Sequence, residues 1–259
     1  MAEHSRVPRV VTQSERAAFY SEQPFIAGAQ IALAEGDASH VAVLRLGVGE
    51  RVGLRDGAGN TASGTLVRLG RKNGLVEVDR VQKVVPAPVI HLLVPVADRD
   101  RMLWLAEKAA ELNIASWRPV LWQRSRSVSP RGDGPTFRGK VRSRMIGAML
   151  QSRSAWLPEI FPEATADRAI AASPAGSRIV LHGDGNAFRS GAIGEPVIIA
   201  VGPEGGFEDD ELAALQQAGF IAASIGRSIL RFETAALAGV AVARALLDGS
   251  TTSNAKADD

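Results

Sequence analysis

Apolar and polar positions follow two different patterns along the chain. Short runs in which the two kinds of residue alternate recur at 30–34, 50–55, 61–69 and 75–81. The turn pairs Asp56-Gly57 and Asn73-Gly74 separate them, which is typical of hairpins. We therefore predict a small β-barrel or sandwich over residues 1–84, with a short helix at 40–46 and a proline-containing linker at 84–88.

The rest of the chain predicts an α/β domain over residues 89–249. Continuous apolar runs, typical of parallel strands buried on both faces, predict strands at 89–96, 117–122, 178–182, 196–201 and 220–225. Intervening stretches predict helices at 98–114, 136–153, 164–172, 207–218 and 234–247. The last helix is apolar on nearly every face, so it should be buried all round, within the domain or at a subunit interface. A polar tail at 250–259 is expected to be disordered.

Charge is distributed unevenly along the chain. The net charge is only +2, yet residues 118–153 contain nine Lys or Arg and one Asp or Glu. A basic segment of this kind indicates a polyanionic partner, or merely a solvated face. The chain has no cysteine, which fits a reducing cytoplasm. We expect no metal site, because the four histidines are far apart, and no membrane span, because the apolar runs are too short.

Two glycine-containing turns, at 202–206 and 226–230, directly follow predicted strands. The carboxyl ends of parallel strands are where open α/β sheets bind ligands. The sequence of the first turn, GPEGG, matches neither a P-loop nor the GxGxxG dinucleotide motif. The helix after it begins with four acidic residues, 208–211, which disfavours a bound pyrophosphate. A neutral or zwitterionic ligand such as S-adenosylmethionine (SAM) fits better, unless the glycines only permit tight turns.

The two turns also carry a family resemblance. GPEGGF at 202–207 and IGRSILRFETA at 225–235 resemble the C-terminal signature of the 16S rRNA (uracil-N3)-methyltransferase family, the RsmE type of the SPOUT class. Nearly the whole chain is similar to that family, including RVPRV at 6–10, HVAVLRLGVGERVGLRDGAG at 40–59, EKAAELNI at 107–114 and QSRSAWLPEI at 151–160.

The resemblance implies a particular fold and set of partners. The N-terminal domain would be a PUA-like β-barrel that binds RNA, and the C-terminal SPOUT domain would contain a trefoil knot. The protein would be a cytoplasmic homodimer acting on 16S rRNA in the 30S ribosomal subunit. SAM would be held by main-chain groups of three loops, whose matching residues are Leu181, His182, Gly183, Val201, Gly202, Pro203, Gly205, Gly206, Ile225, Gly226, Ile229 and Leu230.

The implied chemistry is methyl transfer to a nitrogen. Methylation at C5 of a pyrimidine normally needs a cysteine nucleophile, so a cysteine-free protein should act on a heteroatom. Arg231, which matches the family's LRxET arginine, would stabilise the uracil anion. Glu204 or Glu233 would accept the proton or position the base. Alternatively, Glu233 only stabilises its helix, Arg231 only forms an ion pair with Glu204 or Glu233, and His182 is structural rather than a general base.

Several arginines match, or stand near, the family's RNA-binding positions. Arg6, Arg9 and Arg45 match in the N-terminal domain, and the family's Arg-Ser pair has two possible registers here, at Arg124 and at Arg126. The segment at 150–154 departs from the family, because Leu150 replaces Glu and Arg153-Ser154 replaces Gly-Arg. Arg153 could substitute for the missing arginine. Two alternatives therefore stay open: a SPOUT enzyme that methylates the ribose 2′-oxygen, and an inactive RNA-binding protein.

Overall fold

The structure, a computed structural model, describes residues 15–70, 73–125, 132–189 and 193–254. The chain divides into two compact units between Val85 and Pro86, within the stretch predicted to be a linker. Three residues predicted to bind RNA, Arg6, Arg9 and Arg126, lie outside the described residues.

The N-terminal unit is built on a five-stranded sheet. Its elements are β1 (Ala18–Tyr20), β2 (Gln30–Ala32), α1 (Glu35–Val43), β3 (Arg51–Arg55), β4 (Asn60–Leu69) and β5 (Gly74–Lys83). The strand order is β1-β3-β4-β5-β2, in which β1 and β3 are parallel and the other neighbours are antiparallel. The four predicted strands are confirmed. Helix α1 begins five residues earlier than predicted, where Glu35 and Asp37 favour a helix N-terminus.

Local sequence explains how these strands are arranged. Along β5, Val76 and Val78 are fully buried while Glu77 faces solvent, so the alternating pattern places one face on the core. The turn between β3 and β4 is closed by the Asp56 carboxylate, which accepts hydrogen bonds from the backbone N–H groups of Ala58 and Asn60 at 2.7 and 3.0 Å. The aspartate-glycine turn predicted from the sequence is therefore confirmed.

The C-terminal unit is an α/β domain, as predicted. Its elements are β6 (Ile90–Pro95), α2 (Arg99–Glu111), β7 (Ser116–Leu121), α3 (Gly134–Ser152), β8 (Glu159–Ile160), β9 (Ala164–Thr165), α4 (Ala166–Ala171), β10 (Ser177–Ala187), β11 (Val197–Val201), α5 (Asp209–Gln217), β12 (Ile221–Ser224) and α6 (Phe232–Asn254). The sheet order is β12-β10-β11-β6-β7-β8, with β9 also paired to β7, and every pairing is parallel.

Helices cover both faces of this sheet. Val197, Ile199 and Val201 of β11 pack with α2, α3 and α6, whereas Ile198 and Ala200 belong to a second core with α4 and α5. All five residues of β11 are buried, which explains why this strand is a continuous apolar run.

The two ends of α2 are satisfied by polar side chains. At its start the Asp98 carboxylate accepts hydrogen bonds from the backbone N–H groups of Asp100 and Arg101. Asp98 and Asp100 were the two predicted caps, and Asp98 is the one that caps the helix. At its end Asn113 has a φ of 54°, so the predicted left-handed cap is confirmed. Arg244 is the lone charge in the apolar part of α6. It donates hydrogen bonds to the carbonyls of Leu112 and Asn113 at the end of α2 and to the carbonyl of Pro88.

Two sequence-based expectations need correction. The segment 182–186 is assigned to β10 rather than to a separate loop, although residues 182–185 bulge out because Leu181 and Asn186 both pair with Ala223. Helix α6 continues to Asn254, since no proline follows and one glycine costs a helix only about 1 kcal/mol. Within this chain Ala241 and Ala245 of α6 are exposed, so burial of α6 on every face would need the predicted subunit interface, which stays a prediction. The trefoil knot stays a prediction.

Candidate functional site

Three segments converge because the strands that carry them end at the same level. Leu181 of β10 is paired both with Val201, the last residue of β11, and with Ala223 of β12. Parallel strands place their carboxyl ends at one edge of the sheet, so the chain leaves all three strands at the same place. Residues from the segments that follow, at 182–183, 202–206 and 225–230, line a cavity of about 240 Å³.

The cavity brings together the residues predicted to bind the cofactor. Every one of them except Gly205 lines it. Phe232 and Ala235, three residues apart in the first turn of α6, also line the cavity, and neither was predicted from the sequence. Their helical spacing was a usable signal, since it puts both on one face of α6. Cofactor binding at these residues stays a prediction.

The charges around the cavity restrict its ligand. No Lys or Arg is among the described residues that line it, and Glu204 contributes a carboxylate. A pyrophosphate would find no cation here, whereas a ligand with a positive centre would meet a negative charge. His182 is half-buried, and its Nδ1 accepts from the Asp184 N–H at 3.3 Å. That local hydrogen bond favours a structural role for His182 over one as general base.

The turn after β11 is held by side chains from the end of β7. Arg124 donates from Nε and Nη2 to the two carboxylate oxygens of Glu208, at 2.6 and 2.7 Å, and from Nη1 to the Gly205 carbonyl at 2.8 Å. This hydrogen bonding holds the pKa of Glu208 below its usual range. A Cβ at Gly205 would lie 3.2 Å from the Cβ of Arg124, so the glycine permits this close approach.

The rest of the acidic first turn of α5 is used in the same way. Gln123 donates its backbone N–H to Glu211 Oε1 and its side-chain amide to Asp210 Oδ2, both at 2.7 Å. Three of the four carboxylates that follow the glycines, those of Glu208, Asp210 and Glu211, therefore join the end of the β7 segment to α5, in addition to favouring the helix N-terminus. Arg124, predicted to bind RNA, has three N–H groups occupied by this connection.

A second cavity, of about 190 Å³, lies beside the first. Its lining residues come from the end of β6, from β7 and from the glycine-rich turn: Val96, Ala97, Asp98, Arg124, Pro203, Glu204 and Gly205. Pro203 and Glu204 line both cavities. Arg101, in the first turn of α2, forms an ion pair with Glu204 through Nη1. No sequence signal pointed to Arg101, because 103 residues separate it from its partner.

The three predicted catalytic residues are placed differently. Glu204 lines both cavities, whereas neither Arg231 nor Glu233 is among the described lining residues of either one. Arg231 is exposed, and the ion pair recorded for Glu204 is with Arg101. Glu233 is 9% exposed, and its buried Oε2 has no hydrogen-bond partner within the described ranges. The structure thus brings Glu204 alone of the three to the cavity wall.

The remaining predicted RNA-binding arginines are exposed. Arg45 has a φ of 54° and follows α1, and Arg153 has a φ of 61° and ends α3. Beside Arg153, the Ser154 hydroxyl accepts from the Trp156 N–H at 3.2 Å, so the residue that replaces the family's arginine stabilises a local turn. Leu150 is half-buried on α3.

No described helix combines the length and hydropathy needed to cross a membrane. Within the same ranges, no three His, Asp or Glu side chains cluster in a way that could hold a metal ion.

Fold and cavity together define a class: a small β unit joined to a parallel α/β domain that has a ligand cavity at the carboxyl ends of its strands. The sequence matches the family described as RNA methyltransferase domain over residues 85–244, and the RNA methyltransferase PUA domain over residues 33–79. The chain therefore belongs to the RNA methyltransferase family.

Named relatives and solved structures agree with that assignment. The chain is 30% identical to the ribosomal RNA small subunit methyltransferase E of Mycobacterium bovis, across 80% of this chain and 83% of the relative. It is similar to a Neisseria gonorrhoeae ribosomal RNA small subunit methyltransferase E bound to SAM, with TM-score 0.80, 25% identity and coverage of 89% and 98%. A Legionella pneumophila protein in complex with SAM gives TM-score 0.80, 26% identity and coverage of 88% and 97%.

Proposed function

We propose that this protein is a SAM-dependent methyltransferase that methylates N3 of a specific uridine in 16S rRNA of the small ribosomal subunit. The observation that carries the proposal is the cavity of about 240 Å³ at the ends of β10, β11 and β12. The cavity walls come from the segments whose sequence resembles the family. Two structures similar to this chain were solved with SAM bound. We assign SAM to this cavity, held by the residues of the three loops named above.

The lining residues suit the parts of SAM. The apolar side chains of Leu181, Phe232 and Ala235 offer surface for an adenine ring, and the Glu204 carboxylate offers a partner for a cationic group. When bound, SAM supplies an electrophilic methyl group. Glu204, at the wall, is the best-placed acceptor for the N3 proton. Arg231 and Glu233 are assigned to the site by sequence match and would take part once substrate RNA is bound.

The partners follow from the same proposal. The substrate is the 16S rRNA or the 30S subunit, contacted by Arg45, Arg153 and the other basic positions, and the compartment is the cytoplasm. We further propose a homodimer, because α6 exposes small apolar residues such as Ala241 and Ala245 on its outer side. A monomer in light scattering at micromolar concentration would contradict the homodimer.

A methyl-transfer assay tests the proposal. Labelled SAM and the full chain are incubated with 30S subunits that lack uracil-N3 methylation, and the 16S rRNA is digested to nucleosides. A labelled 3-methyluridine product is expected. A labelled 2′-O-methylnucleoside would move the protein to the alternative SPOUT activity. SAM binding without any transfer would support an inactive RNA-binding protein, consistent with the departures at Leu150 and Ser154.

A further inference from the structure

The second cavity has no role in the cofactor assignment. It lies between the start of α2, the end of β7 and the turn after β11, and it is separate from the cofactor cavity except at Pro203 and Glu204. A ligand in either cavity would therefore contact the same carboxylate. Two substrates that exchange a group need this kind of adjacency, because reacting atoms must approach to about 3–3.5 Å.

At the wall of this cavity Glu204 pairs with Arg101, which does not line the cavity itself. The Arg101 and Glu204 side chains are 35% and 57% exposed, so water screens their attraction and the pair contributes little to folding. By contrast, Arg124 in the wall is fixed by its three hydrogen bonds to Glu208 and Gly205. The cavity wall thus contains a fixed residue, Arg124, and Glu204, whose ion pair with the neighbouring Arg101 is exposed to water.

We infer that the second cavity binds the target uracil ring and that Arg101 and Glu204 together recognise its Watson–Crick edge. The inference rests on the proposed function. Uracil presents a donor, N3–H, between two carbonyl acceptors. A carboxylate can accept from N3–H while the adjacent guanidinium donates to O4 or O2, which matches donors to acceptors. Cytosine and adenine present a lone pair at the corresponding ring nitrogen, which the carboxylate would repel.

The same pair accounts for the proton that must leave. The N3 proton passes to a carboxylate oxygen of Glu204, and the N3 electron pair forms the bond to the methyl carbon. The bond between that carbon and the sulfonium sulfur breaks, and its electrons return to sulfur. Negative charge that develops on the uracil carbonyl is stabilised by the Arg101 guanidinium, which is already beside Glu204.

A binding experiment tests the site without relying on activity. The full chain is crystallised with S-adenosylhomocysteine and uridine 5′-monophosphate, and parallel crystals receive the cytidine or guanosine nucleotide. We expect the uracil ring in the second cavity, with its N3 facing Glu204, and no ordered cytosine. The guanosine nucleotide is the stringent comparison, because its N1–H and O6 offer a similar edge on a larger ring. A uracil ring bound elsewhere, or cytosine bound equally well, overturns the inference.

Kinetics provide the second test. Arg101→Gln should lower kcat about 10²-fold, as removal of one donor to a developing oxyanion does, with little change in KM for 30S subunits. Arg101→Lys should recover part of the loss because it keeps the charge. Arg168→Gln, an exposed arginine on α4 that lines neither cavity, is the charge-matched control and should leave kcat unchanged. Wild-type kcat in Arg101→Gln would overturn the inference.

The two tests separate the two proposals. If the wild-type protein fails to methylate 30S subunits but uridine 5′-monophosphate occupies the second cavity, the proposed substrate is wrong and the base site stands. If methylation proceeds but the nucleotide binds outside this cavity, the proposed function stands and the base site is wrong.

Discussion

The turns after β11 and β12 line the same cavity but are held in different ways. In the first turn, residues 202–206, the Gly205 carbonyl accepts from Arg124 and the Glu204 carboxylate pairs with Arg101. In the second turn, residues 225–231, every residue after Ile225 is exposed, and Ile229 reaches 103% exposure. The hydrogen bonds recorded there are local: Ser224 to the Gly226 carbonyl, and Ala235 to the Arg231 carbonyl.

The difference indicates which of the two turns already has its final conformation before a ligand binds. The first turn is fixed by Arg124, which follows β7 and bonds to the Gly205 carbonyl and the Glu208 carboxylate, so its geometry is set by folding. The second turn presents apolar side chains to water. Burial of these side chains by a ligand or a second chain is favourable. We infer that the first turn positions the reaction and that the second turn closes around the ligand. Four predictions test this contrast, from the largest expected effect to the smallest.

Removing the arginine that fixes the first turn should have the largest effect. Arg124→Gln loses the paired hydrogen bonds to Glu208 and the bond to the Gly205 carbonyl, so the turn shifts relative to the cavity. We expect kcat/KM for methyl transfer to fall about 10²-fold, the cost of a displacement near 1 Å. Glu208→Gln in the same assay, alone and combined with Arg124→Gln, completes a double-mutant cycle. Fully additive losses would show that the pair does not act as a unit.

The second-largest effect should come from replacing glycine in each turn, because only the first turn requires a glycine with a positive φ. Gly206 has a φ of 75°, and a Cβ there would meet nothing closer than 3.9 Å, so Gly206→Ala adds strain without a clash. We expect the free energy of unfolding to fall by about 1–2 kcal/mol in urea. Gly206→Asn should lose less, because asparagine tolerates this conformation. In the second turn, Gly226 has open space and no positive φ, and Gly226→Ala should change stability by less than about 0.5 kcal/mol.

An exposed isoleucine should matter for binding but not for folding. Ile229→Ser removes an apolar side chain that folding leaves in water, so the unfolding curve should not move. The affinity for SAM should fall about fivefold, corresponding to about 1 kcal/mol of lost apolar burial. Calorimetric titration measures it. Ile26→Ser is the matched control, since Ile26 is 63% exposed and lies in the N-terminal unit. Equal SAM affinity in the two variants would mean that the second turn does not close on the ligand.

Lowering the pH should slightly reduce the stabilisation that the Arg124–Glu208 pair gives to the first turn, and among the described residues the second turn has no such pair. Arg124 lowers the pKa of Glu208 from its ordinary value of 4.5. Because the folded-state pKa is the lower one, the ionised pair stabilises the fold above the ordinary value and is lost as pH falls through the folded value. Unfolding measured from about pH 7 to about pH 3 should show wild type losing stability relative to Glu208→Gln at the acid end. Parallel curves for the two proteins would contradict this. Ile229→Ser should follow wild type throughout.

Much of the fold was accessible from the sequence because its signals are local. The buried strand β11, the Asp98 cap and the Asn113 end of α2 follow from a few neighbouring residues each. The glycine-rich turns also marked the edge where the cavity forms. The second cavity was not accessible, since its charged pair joins the start of α2 to a turn 103 residues later.

Helix α6 marks the limit of pattern-based inference. Its apolar composition predicted complete burial, yet only the side bearing Phe232, Ala236 and Val240 is buried in this chain. Alanine is compatible with both a core and a surface, so composition could not assign the outer face.

By itself, the sequence determined the order of most strands and helices, the absence of cysteine chemistry, and the three segments that meet at the cavity at the ends of β10, β11 and β12. These depend on periodicity, turn residues and residue types, which act over a few positions. Only the tertiary structure decided which carboxylate faces the cavities and which arginine it meets. Charged side chains are long and can pair with any group brought near them, so their partners are fixed by how the helices pack on the sheet. Arg101 therefore became visible as a part of the site only in the folded chain, and only there was Arg124, predicted from the sequence to bind RNA, seen to bond to Glu208 and Gly205.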